Sequence, residues 1–535
     1  MNSFKTRLIS LRWPSFLGGW AIVLIAASPF IFILTTMFAV NSSLVELNGL
    51  IDWNSVFTTI LLILSVALVA LLLGTIPAFF ITHYQFPLSH FFSRALILPL
   101  AIPGYVMAVI YSGIFDFGGE WQKFNAFVFG GSWIQYEVIN IRNFFGLVMV
   151  LALALFPYVF ITSRSAFTQR SARIEESALS LGISRRKTIW KIILPLALPG
   201  IFAGAGLVMM ETLNDYGASA YYGIRTVTME IFRCWNADLY HAMYFSAWVL
   251  IIPFTLLYLR NHSAKKRGAV KADHSVPQLR KIKGVQAIIV ILICAIPFLF
   301  GILIPFSMLL KWTFANTHVL NNSSFTALLV NSFQLAAIAA AITVVLALLV
   351  NHFFTMNRYH RAPVLTRAGY MMPGAILAIG ILSITTFIDN ATGFSYANLL
   401  TGSLAVLIIA YVIRFLSVSL DPLQSVYQIK GKNLSDSALS MGTRPWKIVT
   451  RISLPVFAPV LLATFILVFI DILKELPLTL LLRPFNFETL STSVFQYAHV
   501  NESVQQAAPA ALIIVLLGMI PVLLLHRYLQ HGKSA

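Results

Sequence analysis

Twelve apolar stretches of about 20 residues run through this sequence, and each is long enough to cross the hydrocarbon core of a bilayer as a helix. Hydrophobic residues make up 58% of the 535 positions and charged residues only 10%, whereas soluble domains carry about 25% charged residues. The sequence therefore predicts an all-α integral membrane protein with twelve transmembrane helices. The predicted spans are 17–40, 56–82, 95–115, 144–163, 196–217, 242–259, 285–310, 327–350, 368–388, 402–420, 456–476 and 508–526.

The charge distribution orients these helices. The net charge is +18, which in a soluble protein would suggest a nucleic-acid partner. Here, if the N-terminus is cytoplasmic, 29 Lys and Arg residues fall on the inner side and 7 on the outer side. Because cytoplasmic loops of membrane proteins collect basic residues, this asymmetry predicts that both termini are cytoplasmic and that no nucleic acid is bound.

The chain also repeats itself. The segment from Glu176 to Gly182 recurs from Asp436 to Gly442, and nine of twenty positions are identical between 176–195 and 436–455. Each copy follows four predicted spans of its own half, so both halves enter the membrane in the same direction and are parallel repeats. The predicted organisation is a first repeat at 1–260 with a duplicated loop at 168–195, a basic cytoplasmic linker at 261–283, and a second repeat at 284–535 with a duplicated loop at 425–455.

The two duplicated loops have the pattern of a helix, a glycine and a second helix. Gly182 and Gly442 can take the left-handed conformation that ends a helix, and Ala178 and Ala438 permit close approach. This predicts two matching elements that dock on a symmetric cytoplasmic partner. The alternative is a pair of amphipathic helices on the membrane surface, which the basic run 185–187 would favour.

The loop motif is Glu-x-Ala, three residues, Gly, nine residues and Ile-x-Leu-Pro. It resembles the cytoplasmic signature loop of the membrane permeases of binding-protein-dependent ABC importers. Asp436 departs from the pattern because it replaces Glu in the second copy. The resemblance implies two copies of a cytoplasmic ABC ATPase as partners, an extracytoplasmic solute-binding protein, and a multi-pass location in the bacterial inner membrane. The residues implied to couple ATPase closure to the spans are Glu176, Ala178, Gly182, Asp436, Ala438 and Gly442.

A narrower resemblance concerns the substrate. The stretches from Glu211 through Trp235 and from Asp471 through Phe487, with the later Ala-Ala-Pro509, are similar to the permeases of ferric-iron importers. That similarity implies ferric iron as the transported substrate. Thiamine, polyamines and phosphonates are alternatives within the same class of transporter.

Nucleotide binding by this chain itself is not expected. A P-loop needs Gly, four residues and Gly-Lys-Ser/Thr, and the one Gly-Lys-Ser, at 532–534, has Arg527 where the first Gly should be. The chain is therefore predicted to be a transport subunit and not an enzyme, with no cofactor of its own. ATP and Mg would be held by the partner ATPase.

Charged residues inside spans are costly and are hypotheses for function. Glu211 and Asp215 share a helix face, and the positions 260 residues later are Asp471 and Glu475. Four carboxylates in matching places predict a path for a cation, with phenolic oxygens nearby at 216, 221 and 222. The alternative is structural, because Lys474 could neutralise its neighbours. No metal site is assigned, since the histidines show no ligand spacing.

Three further features lie within spans. The Pro-Gly pairs at 103–104 and 373–374 predict bends in the third and ninth spans. Arg414 has no carboxylate near it in sequence and is expected to extend towards water or to pair between helices.

A transporter of a different functional class is also compatible with the sequence. A secondary transporter also often has twelve spans in parallel halves, but it would need no docking loops and no ATP. A membrane enzyme is disfavoured because no nucleophile, base or metal constellation is recognisable.

Overall fold

A computed structural model of the chain describes residues 2–39, 52–170, 178, 180–237, 239, 241–250, 280–356, 368–392, 402–427, 432–443, 445–501 and 503–531. These residues are almost entirely helical. The α-helices are Asn2–Ala39, Trp53–His83, Ser89–Ala95, Gly104–Phe115, Glu120–Phe129, Phe144–Arg170, Arg185–Thr188, Leu194–Asn214, Gly217–Tyr221, Val227–Ala237, Val285–Phe298, Ile304–Ala315, Thr317–Leu320, Ser323–Met356, Ala368–Met371, Gly374–Thr392, Leu404–Val426, Lys432–Ser440, Pro445–Ile448, Leu454–Leu473, Pro477–Leu482, Leu490–His499 and Val504–His531.

Ten helices among the described residues are long and apolar enough to cross a membrane. A further apolar pair, Ser89–Ala101 and Gly104–Phe129, is bent by 94° at the predicted Pro103-Gly104 break, which is the geometry of a broken span or a re-entrant loop. The predicted span 242–259 is described only as far as residue 250, where it is helical. The all-α membrane fold is thus confirmed, while the count of twelve stays a prediction.

The first of two compact units, which we call the first-repeat unit, comprises Asp52–Glu230, Thr255–Phe325 and Ser493–Ala535. In it, Trp53–His83, Phe144–Arg170 and Leu194–Asn214 pack on one another. Glycines allow this close approach, because a Cβ at Gly74 would lie 2.8 Å from the backbone nitrogen of Phe160.

The other compact unit, the second-repeat unit, comprises Met1–Ile51, Ile231–Phe254 and Thr326–Thr492. Asn2–Ala39 packs on Gly374–Thr392, and Leu404–Val426 packs on Leu454–Leu473. Gly380 again permits the contact, since a Cβ there would lie 2.8 Å from Pro29.

The units do not coincide with the two halves of the sequence. The first-repeat unit holds the central spans of the first half together with Val285–Ala315 and Val504–Leu523, which are the first and last spans of the second half. The second-repeat unit correspondingly holds Leu17–Thr35 and the helical residues 241–250. Each repeat therefore contributes its outer helices to the unit built on the other repeat.

Three π-helical turns interrupt the helices at Ile189–Ile193, Leu299–Leu303 and Val449–Ser453. Each ends two residues before a proline: Pro195, Pro305 or Pro455. A proline ring clashes with the carbonyl four residues earlier, and a π turn accommodates this by moving the hydrogen bond to the fifth residue.

The strands among the described residues are Tyr84–Gln85 and Arg280–Lys281, which pair in parallel. The amide of Ile282 extends the pairing by donating to the carbonyl of Gln85 at 3.1 Å. The end of the predicted linker 261–283 is thus held against the turn after Trp53–His83. The rest of that linker, up to residue 279, lies outside the described residues.

Candidate functional site

The first duplicated loop ends its helical turn as the sequence predicts. Gly182 has φ of 78°, and the amide of Ile183 donates to the carbonyl of Ala178 at 3.0 Å. This is the hydrogen bond of a Schellman cap, in which the left-handed residue lets the chain leave the helix. Ala178 is buried, whereas Leu181 is 78% exposed.

The second duplicated loop repeats this geometry. Gly442 has φ of 77°, and the amide of Thr443 donates to the carbonyl of Ala438 at 3.0 Å. Ala438 is buried, and Met441, the residue before the glycine, is 77% exposed. Each loop therefore presents one large apolar side chain beside a left-handed glycine.

A lack of room for a side chain is not the reason for glycine at these two positions. A Cβ at Gly182 or Gly442 would meet nothing within 4 Å. The left-handed backbone is the requirement, because it costs an L-residue with a Cβ about 1–2 kcal/mol. Among the predicted coupling residues, Glu176 and the side chain of Asp436 lie outside the described residues.

A continuous helical path leads from each loop into the following span. After the first loop, Arg185–Thr188 continues through the π turn into Leu194–Asn214, and Pro445–Ile448 leads in the same way into Leu454–Leu473. In the second-repeat unit the π-turn residue Val449 packs in one buried cluster with Leu348, Tyr427 and Phe457. Packed side chains thus connect the π turn after the second loop with three membrane helices.

Asp215 follows directly after the span Leu194–Asn214. Its carboxylate accepts hydrogen bonds from the amides of Ala218 and Ser219, at 3.3 and 2.9 Å, and from the Ser219 hydroxyl at 2.8 Å. It therefore caps the short helix Gly217–Tyr221, whose first amides have no partner within the helix.

Glu475 occupies the corresponding place in the second-repeat unit. Its Oε1 accepts from the amide of Leu478 at 3.2 Å, at the start of Pro477–Leu482. Its Oε2 lies 3.3 Å from Nε of Arg414. Arg414 therefore forms an ion pair between helices, which is one of the two alternatives predicted for it.

Both carboxylates also lie at a Pro-Gly break. A Cβ on Gly104 would lie 3.6 Å from Oδ1 of Asp215, and a Cβ on Gly374 would lie 2.9 Å from Oε1 of Glu475 and 2.7 Å from the Arg414 guanidinium. Gly374 thus lets its helix begin beside Glu475, whereas at Gly104 the close contact of a Cβ would be the Leu151 side chain at 2.9 Å. In both repeats the Pro-Gly break and the carboxylate, which are far apart in the sequence, lie next to each other.

The other two predicted path residues differ from these. Asp471 forms an ion pair with Lys474, whose Nζ lies 2.8 Å from Oδ1. The structural alternative, in which Lys474 neutralises its neighbours, predicted this pair. Glu211 is half-buried near the end of its helix. No group of three or more metal-ligating His, Cys, Asp or Glu side chains is found within the described ranges.

The phenolic oxygens near Asp215 are engaged in contacts of their own. The Tyr221 hydroxyl accepts from Arg142 at 3.1 Å, and the Arg142 guanidinium lies 4.9 Å from the centre of the same ring. The hydroxyl of Tyr222 donates to the carbonyl of Ala108 at 3.4 Å, and burial raises the pKa of Tyr222. This role of Arg142 was not predicted from the sequence.

A pair of hydroxyl contacts was not predicted. The Thr59 hydroxyl accepts from the amide of Val227 at 2.9 Å, and in the other unit the Ser332 hydroxyl accepts from the amide of Leu490 at 2.8 Å. Each bond ties the second span of one repeat to a helix that starts after the capped short helix. A lone Thr or Ser in an apolar run carries no sequence signal for such a role.

Comparison with known proteins agrees with the duplicated arrangement. The family described as "Binding-protein-dependent transport system inner membrane component" matches this chain over residues 70–262 and again over 362–534. The first match contains the third to sixth predicted spans with the first duplicated loop, and the second match contains the ninth to twelfth with the second loop.

Individual relatives differ in how much of the chain they match. The Fe(3+)-transport system permease protein FbpB 2 of Haemophilus influenzae is 28% identical over 489 residues, which is 88% of this chain and 89% of the relative. The sulfate transport system permease protein CysT of Escherichia coli is 25% identical over 27% of this chain and 50% of its own length. A probable molybdenum ABC transporter permease of Haloferax volcanii is 27% identical over 31% of this chain and 57% of its own.

Proposed function

The chain belongs to the family of binding-protein-dependent transport system inner membrane components, and on that premise we propose that it is the permease subunit of an ATP-driven importer of ferric iron. Two copies of a cytoplasmic ABC ATPase would bind the two duplicated loops. A solute-binding protein would deliver the iron from outside the cytoplasmic membrane. ATP and Mg belong to the ATPase in this proposal, and both termini of the permease are cytoplasmic.

The duplicated loops carry the proposal of ATP coupling. Both have the same cap, the same buried alanine and the same exposed apolar side chain before the glycine. Leu181 and Met441 are exposed at matching places in the two loops, and two copies of one partner would cover both in the same way. The π turns then connect each docked loop to its span, with Glu176, Gly182, Asp436 and Gly442 as the proposed coupling residues.

The proposal of ferric iron rests on the extent of one match. The ferric-transport permease of Haemophilus influenzae aligns over 89% of its length, and so includes both repeats. Ferric ion is a hard cation that prefers oxygen ligands. Glu211, Asp215, Asp471 and Glu475 stay predicted as lining residues, although the capping and ion-pair contacts of Asp215, Glu475 and Asp471 support a structural role for those three.

An oxyanion such as sulfate or molybdate is the second candidate substrate. It is supported by the sulfate and molybdenum permeases, which match about half of their own length. Thiamine, polyamines and phosphonates have no comparable support among these relatives.

The test is uptake into proteoliposomes that contain the chain with its co-expressed ATPase. ATP is sealed inside, a candidate binding protein is added outside, and radiolabelled ferric iron, sulfate and molybdate are supplied in parallel. We expect ferric uptake that requires ATP and stops with a non-hydrolysable analogue. Uptake of an oxyanion but not of ferric iron would support an ATP-driven importer and overturn the proposal that its substrate is iron. Uptake driven by an ion gradient without any ATPase would overturn the whole proposal in favour of a secondary transporter.

A further inference from the structure

The helix Glu120–Phe129 turns the polar side chain of Gln122 inward. Gln122 is only 1% exposed, its Oε1 accepts from the amide of Gly118 at 2.7 Å, and its Nε2 donates to the carbonyl of Tyr136 at 2.6 Å. Asn125 donates to the carbonyl of Trp121 at 2.8 Å. The bonds of Gln122 hold the helix to its own flanking segments, while the bond of Asn125 stays within the helix.

The opposite face of this helix is apolar and uncovered. Phe124, Phe127 and Val128, spaced as neighbours on one helix face, are 57%, 87% and 49% exposed. Phe129 at the end of the helix is exposed as well, and so are Phe117 before the helix and Ile134 after it. The arrangement is the reverse of a helix on a soluble protein, whose polar face meets water and whose apolar face is buried.

We propose that Phe124, Phe127 and Val128 insert into the outer interface of the lipid bilayer, so that Glu120–Phe129 is an interfacial anchor of the permease. The helix follows Gly104–Phe115 of the bent pair after only four residues, which keeps it at the membrane. An apolar face on a short helix at this level is stabilised at the boundary between headgroups and acyl chains.

The charges and indole rings around the helix fit a lipid surface. Glu120 forms ion pairs with Lys123 and with Lys311 of the span helix Ile304–Ala315. These long side chains can keep their charges in the headgroup layer while their stems cover apolar surface. Trp121 lies in the first turn of the helix and Trp133 lies after its end, and indole rings are enriched at membrane interfaces. Phe314, which lies three residues after Lys311 in the same span helix, is 76% exposed.

Site-directed spin labelling of the full chain in liposomes tests this directly. After replacement of Cys234 and Cys294 with alanine, single variants F124C and F127C are labelled, and E137C, an exposed site in the same outer segment, is the matched control. We expect accessibility to oxygen, which concentrates in lipid, to exceed accessibility to a water-soluble nickel complex several-fold at 124 and 127. The ratio should reverse at 137.

Two results would overturn the anchor. Higher nickel than oxygen accessibility at both 124 and 127 would place the face in water, where a soluble protein could dock on it. Low accessibility to both reagents would mean that protein already covers it. Both labelled positions are on the surface, so folding is checked by gel filtration against the unlabelled chain, and V128C repeats the measurement if either variant aggregates.

Discussion

Arg414 and Glu475 form an ion pair inside the second-repeat unit, with Nε 3.3 Å from Oε2 and both side chains less than a tenth exposed. At the Pro-Gly break of the first repeat, a Cβ on Gly104 would lie 2.9 Å from the apolar side chain of Leu151, whereas at Gly374 the nearest group is the Arg414 guanidinium. Asp215, the counterpart of Glu475, makes no ion pair among the described residues, and its hydrogen bonds come from the helix that it caps. The carboxylates at corresponding positions of the two repeats are therefore stabilised by different interactions.

The ion pair predicts a large effect of removing only one partner. R414M leaves the carboxylate of Glu475 buried without its cation, which we expect to cost about 3 kcal/mol of stability. Thermal unfolding in detergent measures this as a lower Tm. K474M breaks the more exposed pair with Asp471 and should cost about 1 kcal/mol or less.

The double variant R414M/E475Q separates charge from packing in this pair. Because both charges are gone, we expect it to be more stable than R414M alone. If the two single losses of R414M and E475Q simply add in the double variant, the pair does not contribute in the way described here.

The glycine caps predict a loss of coupling without a loss of insertion. G182V forces a β-branched residue into left-handed backbone, so the loop should no longer fit its ATPase, and ATP-driven uptake should fall at least about tenfold, which is about 1.4 kcal/mol of coupling. Membrane yield should be unchanged. G223V is the matched control, since Gly223 has φ of 69° and an open site but lies outside the loops.

Coupling through these loops would be contradicted if G182V and G442V transported normally. The same conclusion would follow if G223V reduced ATP-driven uptake to the same extent, since strain alone would then explain the loss.

Two variants of Asp215 distinguish its role as a helix cap from the predicted role of lining a cation path. D215N keeps an oxygen that accepts the Ser219 amide, whereas D215A removes the cap and should cost about 1 kcal/mol. If the carboxylate only caps, D215N should have a nearly normal Tm and normal uptake, while D215A lowers the Tm.

The path role makes the opposite prediction for D215N. Uptake of a cation should then fall for E211Q/D215N although the Tm is kept and the ATPase remains bound. Normal uptake by this double variant would show that the two carboxylates do not line the path.

Removal of the buried hydroxyl of Thr59 or of Ser332 should reduce stability by similar amounts in the two units. T59V leaves the amide of Val227 buried without an acceptor, and S332A does the same to the amide of Leu490, each at about 1–3 kcal/mol. T343V is the control, because that buried hydroxyl donates only to the carbonyl of Ala339 one turn earlier in its own helix. An equal Tm for T343V and T59V would argue against a role for the cross-helix bonds.

The sequence by itself determined the helical membrane class, the repeat and the glycine caps. These features are local: the length of an apolar run sets whether it can cross a bilayer, and a glycine with its neighbours sets how a helix ends. The offset of 260 residues then related Asp215 to Glu475 and Gly182 to Gly442 before any contact was known.

Only the tertiary structure decided which surfaces meet. An apolar helix face does not specify its neighbour, so nothing in the pattern of 17–40 or 285–310 indicated that the outer spans of each repeat pack in the unit built on the other. Arg414 and Glu475 are far apart in the chain and become partners only when their helices pack. The same holds for Gln122, whose inward direction, and with it the outward direction of Phe127, depends on turns that fold back onto their own helix.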